Sequence, residues 1–263
     1  MNLRGAWALV RSTWAEWLQH RGFFFLLAFG WMIPPLIYLF VWSAAAGEKS
    51  VGGMTRDAFV VYYLVLIVVN QLTYSQTNWT VGDVIRSGGM NALLLRPMSP
   101  IFNALANQVS GIVVYMVFIL PVATVLALVL RPQVHLSLPD VLAFVPALFL
   151  AGALRFFWGY WVALLAFWAT RADALLAVQD AFVFLLGGQV APTLLLPGVL
   201  RRAANVLPFR YMLGFPVEVL TGQVRGSALW TGFAWQLGWL GVALALFTAL
   251  WRAGVRRYSA VGG

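Results

Sequence analysis

The stretch VGDVIRSGGMNALLLRPMSP, from Val81 to Pro100, lies between two long apolar segments and is the longest polar interruption in the first half of the chain. It contains a Gly88-Gly89 pair and a run of three leucines that stops at an Arg-Pro pair. Glycine lowers helix stability and proline lacks the amide proton that a helix needs, so both residues mark helix ends. The stretch therefore predicts a short, partly apolar helix at the inner membrane face, where it can dock into a groove on a soluble partner.

The composition is that of a membrane protein. Of the 263 residues, 62% are hydrophobic and 10% are charged, whereas about 25% of the residues of a soluble domain are charged. The formal net charge is +9, carried by arginines at the ends of apolar segments. Such arginines meet anionic headgroups, so the basic balance indicates membrane lipids as partners, with no nucleic acid. There is no cysteine and there are only two distant histidines, which argues against disulfides and metal sites.

The apolar segments predict an all-α polytopic membrane protein with six transmembrane helices, forming one domain over residues 1–263. An N-terminal interfacial helix is predicted within residues 1–21, because its tryptophans share one face of a basic helix, the alternative being a helix packed on the bundle. Residues 197–227 are too polar to cross and too apolar for a free loop, which predicts short external or re-entrant helices before the last span. The six spans are expected at Phe23–Ala45, Phe59–Thr77, Ala104–Leu130, Val141–Ala169, Leu175–Leu196 and Leu229–Trp251.

The arginine distribution predicts that both termini are cytoplasmic. With six spans and the N-terminus inside, the two short outer loops carry only Lys49, Arg56 and Arg131. The region 197–227 adds four outer arginines and argues the other way, but the early segments favour the N-inside orientation under the positive-inside rule. The inner segments carry nine arginines, Arg4, Arg11, Arg21, Arg86, Arg96, Arg171, Arg252, Arg256 and Arg257.

Catalytic motifs are absent from the sequence. It contains no GxxxxGK[ST] loop for phosphates, no GxSxG or HExxH motif and no converging Ser/His/Asp set. We therefore expect no catalytic residue, no metal and no cofactor in this chain, and no enzyme activity of its own. Energised work would draw on another chain or on an ion gradient.

Ionisable residues inside the predicted spans are the sharpest functional clue, since a charge near the bilayer centre costs at least ~2.5–3.5 kcal/mol. Arg155 and Asp180 lie on consecutive spans joined by a tight turn. We expect an ion pair with Asp180 or backbone carbonyls to satisfy Arg155, and the alternative is contact with substrate. Asn70, Gln71 and Gln108 are expected to form hydrogen bonds between helices.

Two motifs add to this layout of spans and short helices: LLLRPMSPIF at Leu93–Phe102 and LPFRYMLGFPVEVLTG at Leu207–Gly222. Together they resemble the permeases of ABC-2 type transporters, and more narrowly the small standalone permeases that work with a separate ABC ATPase. The resemblance implies a dimer of membrane subunits, homodimeric or heterodimeric, bound to two ATPase chains that hold ATP and Mg. It also implies that the stretch at 81–100 is the coupling helix that enters a cleft on the ATPase. The residues carried over to this role are Asp83, Arg86, Met90, Asn91, Leu94 and Arg96.

The mechanism implied by the resemblance is alternating access, in which an exporter in the bacterial cytoplasmic membrane moves its substrate outward. A path lined by spans two and five would be apolar apart from Asn70, Gln71 and Gln189, which suits an amphipathic or lipid-like substrate. Two other classes stay open. A secondary transporter would need coupling-ion ligands near the membrane centre, and a non-transporting scaffold would need no coupling helix.

Overall fold

The computed structural model describes residues 21–47, 49–75, 77–134, 136–169 and 172–258. The predicted interfacial helix, with its apolar stripe from Leu3 to Leu18, lies outside these ranges. Within them the regular elements are helices, apart from one isolated bridge between Val51 and Met54. Among the described residues, five helical segments are long and apolar enough to cross a membrane. The chain is therefore an all-helical, multi-pass membrane protein.

Eleven α-helices and two short 3-10 turns make up the described part of the chain. The 3-10 turns are Leu165–Phe167 and Thr193–Leu195. The α-helices are α1 Arg21–Ala46, α2 Arg56–Thr73, α3 Thr77–Arg86, α4 Met90–Leu94, α5 Pro100–Leu130, α6 Leu138–Leu164, α7 Ala172–Leu186, α8 Gly198–Val206, α9 Phe209–Met212, α10 Gly214–Leu220 and α11 Ser227–Arg257.

The helical bundle has two ends, the Asp57 end and the Arg86 end. At the Asp57 end, α2, α6 and α11 begin: the Gln133 N–H donates to Asp57 Oδ2 at 3.1 Å, and Arg225 Nε donates to Asp140 Oδ1 at 3.1 Å. At the Arg86 end, α3 ends and α5 begins. Binding sites at these two ends would therefore face opposite sides of a membrane.

Helix α6 lies at the centre and contacts α2, α3, α7 and α11. Its inward face carries small buried residues, Ala147 and Ala151, which let neighbouring helices approach. The approach is closest at Gly159, where a Cβ atom would lie 2.2 Å from Asn78 Nδ2 of α3. By contrast, α5 exposes Leu128 and other aliphatic side chains, as expected of a surface in contact with hydrocarbon.

The predicted second span is interrupted. It was expected to be continuous from Phe59 to Thr77, but α2 ends at Thr73 and α3 begins at Thr77. Between them Tyr74 has an extended conformation, with φ −62° and ψ 130°, while its N–H still donates to the Asn70 carbonyl. The break places an irregular segment deep in the bundle, where side chains rather than the helix must satisfy backbone groups.

The predicted fifth span, Leu175–Leu196, extends ten residues beyond the end of the observed helix α7 at Leu186. Helix α7 has 15 residues and ends at Leu186, whereas a full span needs ~20. It stops because Gly188 has φ +85°, a left-handed conformation that glycine tolerates best. The six-span count stays a prediction. Residues 197–227, where short helices are expected, contain α8, α9 and α10.

The stretch from Val81 to Pro100 is divided into two helical pieces. Its first residues continue α3 to Arg86, and the separate helix α4 has only five residues. Gly88 lies between them with φ +81°, which ends α3. The third span begins at Pro100 rather than at Ala104, because proline is favoured at the first helical position.

Candidate functional site

Helix α4, at the Arg86 end, is anchored through one buried side. Met90 is 1% exposed and belongs to an apolar cluster with Val81 and Ile85 of α3 and Tyr160 of α6. Leu93 packs against the same cluster. Met90, one of the residues assigned to coupling by resemblance, is therefore on the buried side of α4.

The other side of α4 and the residues after it form an exposed surface, called here the α4 surface. Leu94 is 36% exposed and Leu95 is 87% exposed, and the exposed Arg96 follows. Asp83 and Arg86 form an ion pair on the exposed side of α3 nearby. The α4 surface thus presents two exposed leucines followed by an arginine, and an exposed ion pair lies on the preceding helix.

Arg155 lies at the break in the second span and is held by side chains of α2. It is 3% exposed, and its Nη1 donates to Asn70 Oδ1 at 2.8 Å and to Thr73 Oγ1 at 3.2 Å. Its guanidinium carbon is 4.9 Å from the centre of the Tyr74 ring. Arg155 therefore stabilises the interrupted helix.

Asp180 is not the partner that was expected for Arg155. No ion pair joins the two side chains, both of which are described, although their charges attract each other across a gap. Asp180 Oδ1 instead accepts a long hydrogen bond, 3.5 Å, from Gln179 Nε2. The break brings Asn70 and Thr73 to the guanidinium, so nearer acceptors take the place of the carboxylate and of backbone carbonyls.

The remaining polar residues of the predicted spans do not all lie at the break. Gln108 Nε2 donates to the Tyr74 carbonyl at 2.5 Å, which links α5 to the break. Gln71 and Gln189 are buried, at 5% and 8% exposure. Asn70 faces Arg155 inside the subunit, so it is not on an open path. The structure gathers Asn70, Gln108 and Arg155 around one break and leaves Gln189 elsewhere.

The non-helical segment after α7, residues 187–192, is buried against α1 and α2. Tyr62 Oη donates to the Gly188 carbonyl at 3.0 Å. The Val190 carbonyl accepts from Tyr63 Oη at 3.2 Å and from Trp42 Nε1 at 2.8 Å. These donors satisfy backbone that has no helical partner. No local sequence pattern indicates these donors, because two adjacent tyrosines and a distant Gly-Gly pair are brought together only by the fold.

A buried ion pair organises the second motif, Leu207–Gly222. Arg210 donates to Glu218 Oε2 from Nε at 2.9 Å and from Nη2 at 2.5 Å, and its Nη1 donates to Asn205 Oδ1 at 2.6 Å. Burial alone would lower the pKa of Arg210, but the charge and hydrogen bonds of Glu218 raise it above its ordinary value. The pair links α9 to α10. Sequence reasoning quoted the motif without finding this pair.

In the part of the chain that the structure describes, no three His, Asp or Glu side chains come together in a way that could hold a metal ion. A family model described as "ABC-2 family transporter protein" matches residues 30–262 of the sequence. No curated protein matches the sequence.

Proposed function

This chain belongs to the ABC-2 family of transporter proteins, and we propose from that premise that it is the membrane subunit of an exporter driven by a separate ABC ATPase. The energy source is proposed to lie in a partner, because these 263 residues contain no phosphate-binding GxxxxGK[ST] loop. ATP and Mg would then be bound by the partner chain alone.

The α4 surface is the observation that carries the proposal. A leucine that is 87% exposed at the end of a membrane bundle, followed by an exposed arginine and preceded on α3 by an exposed Asp–Arg pair, is suited to docking on a soluble protein. The hydrocarbon of the bilayer is a poor partner for this surface because the ion pair and Arg96 accompany the leucines. Docking of apolar side chains, with charges at the rim, is the usual construction of a protein interface.

The buried side of α4 supplies the mechanical connection. Movement imposed on Leu94 and Leu95 by the ATPase would pass through Met90 and Leu93 to α3 and α6. Because Asn78 of α3 packs directly on α6, these helices would move as a unit. We propose alternating access with this transmission, in a bacterial cytoplasmic membrane with both termini inside.

The proposed substrate is amphipathic or lipid-like. Helix α7 exposes Leu175, Val178 and Phe182, and a second subunit facing α7 would enclose a largely apolar path between the two copies. Such a path favours a molecule with an alkyl portion over a small ion. The second subunit would be another copy of this chain or a related one.

The test is phosphate release measured on the purified chain with and without the co-expressed ABC ATPase, followed by transport into inverted vesicles. We expect no ATP hydrolysis by the chain alone, and ATP-dependent uptake of a dodecyl-chain fluorescent amphiphile by vesicles that hold both proteins. Robust phosphate release by the chain alone, or failure of the ATPase to co-purify, would contradict the proposal.

A further inference from the structure

A cavity of about 560 Å³ opens at the Asp57 end of the bundle. Its wall is formed by the start of α2, the loop between α5 and α6, the 3-10 turn before α8 and the turn after α10. This volume lies within the range of ~300–1,000 Å³ that small-molecule sites occupy. The cavity is separate from the α4 surface, which lies at the opposite end.

The wall combines polar and apolar side chains. Thr55, Gln133, Thr221 and Gln223 supply hydroxyl and amide groups, and among the wall residues that the structure describes Asp57 supplies the one charge. Apolar surface is supplied by Leu136 and Leu194, which are 49% and 43% exposed. A ligand that fits both kinds of surface has a polar head and an apolar tail.

The charge of the wall favours a cationic head group. A helix N-terminus such as that of α2 ordinarily attracts anions. Here Thr55 Oγ1 accepts from the Ala58 N–H at 3.3 Å, and the Asp57 carboxylate lies in the first turn. Asp57 Oδ2 accepts from the Gln133 N–H, whereas Oδ1 accepts no hydrogen bond in the described part of the chain. One carboxylate oxygen therefore remains for a ligand.

Four exposed cations, Lys49, Arg56, Arg131 and Arg225, lie near the cavity in the chain but outside its wall, and Arg225 is paired with Asp140. Their long-range repulsion of a cation is screened over ~8 Å at physiological ionic strength. They would also attract the anionic part of a zwitterionic head group. The rim therefore accepts a head group in which an ammonium is accompanied by a phosphate.

We propose that this cavity binds the ammonium-bearing head group of an amphiphile, with the ammonium at Asp57 Oδ1 and the alkyl chain against Leu136 and Leu194. The inference rests on the proposed function, because it names the class of substrate that the exporter would release at this end. Binding itself requires no ATPase.

The test uses three probes with the same dodecyl tail: dodecylammonium, dodecylphosphoethanolamine and dodecyl phosphate. The full chain carrying Thr221→Cys, in dodecyl maltoside, is labelled with a small maleimide while each probe is titrated. We expect both ammonium probes to slow labelling and dodecyl phosphate to leave it unchanged. The ammonium probe that protects the cysteine at the lower concentration shows whether the cavity prefers a simple cation or a phospholipid-like zwitterion.

Charge variants in the same background test the role of Asp57. Asp57→Asn should raise the half-protecting concentration of dodecylammonium about threefold, as for one partly exposed ion pair. Gln223→Glu should lower that concentration and Gln223→Arg should raise it, while Ser50→Glu, which adds a carboxylate outside the wall, should not change it. The two Gln223 variants carry the test if Asp57→Asn does not fold.

Protection by all three probes alike, or by none, would overturn the inference. So would equal protection of the Asp57→Asn and wild-type backgrounds. If protection follows the ammonium but the ATPase does not co-purify, the cavity assignment stands and the proposed exporter function fails. If the ATPase binds and labelling is unprotected, the failure belongs to the cavity alone.

Discussion

Leu95→Asp is the substitution that tests the α4 surface most directly. Leu95 is 87% exposed, so the membrane subunit loses little of its own packing when this side chain is changed. Full burial of a leucine contributes ~1.5–3 kcal/mol, and the 87% still exposed corresponds to about 2 kcal/mol available for docking. Since 1.4 kcal/mol is a tenfold change, loss of this contact alone weakens association about 30-fold. A buried, unpaired carboxylate adds several kcal/mol more.

The assay is affinity purification of the membrane subunit from cells that co-express the ATPase. Leu95→Asp should leave membrane abundance and melting temperature unchanged, remove the ATPase from the purified sample and abolish transport. Leu95→Ala should give an intermediate loss. Leu93→Asp should instead lower melting temperature, because Leu93 packs on the buried cluster. Val134→Asp, at an aliphatic residue that is 52% exposed at the Asp57 end, is the matched control and should retain the ATPase.

Retention of the ATPase at wild-type stoichiometry by Leu95→Asp, with transport intact, would refute the assignment of the α4 surface. Loss of the ATPase from the Val134→Asp control as well would show that any exposed carboxylate disturbs the assembly. The exposure of Leu95 would then not identify the docking site.

The remaining predictions concern orientation and the polar cluster. Because the chain has no cysteine, Ser87→Cys should react with a membrane-impermeant maleimide only after cell lysis and Ser50→Cys in intact cells; the opposite pattern would reverse the proposed orientation. Arg155→Met should lower melting temperature, because it leaves the Asn70 amide oxygen buried without its donor, at a cost of about 1–3 kcal/mol. Adding Asp180→Asn should not restore the loss, and restoration would show that these two charges pair after all.

Long apolar helices could be predicted from the sequence because length and composition are sufficient to identify them. The third span was predicted to begin at Ala104, four residues after α5 begins at Pro100, and the Gly88-Gly89 pair indicated a helix break where α3 has just ended. The break at Tyr74 could not be found in this way, since no glycine or proline stands there. Tertiary hydrogen bonds from Arg155 stabilise it, and those depend on which face of α6 meets α2.

The candidate site was predictable only where helical periodicity limits the choices. Three consecutive leucines on a helix point about 100° apart, so at least one had to leave the membrane-facing side, and the structure identifies Leu95 as the most exposed. Which leucine anchors α4 depends on contacts with α3 and α6. The cavity beside Asp57 draws its wall from four segments distant in sequence, so no local pattern could indicate it.

The buried segment at 187–192 also constrains how the protein is made. The side chains that donate hydrogen bonds to its carbonyls belong to α1 and α2: they are Trp42, Tyr62 and Tyr63. These residues are synthesised more than a hundred residues before the segment. The donors on α1 and α2 are therefore already present when Gly188 and Val190 are synthesised. A backbone that is buried away from water needs such donors. A nascent chain that folded its later helices before α1 and α2 would leave these buried carbonyls without their hydrogen-bond donors.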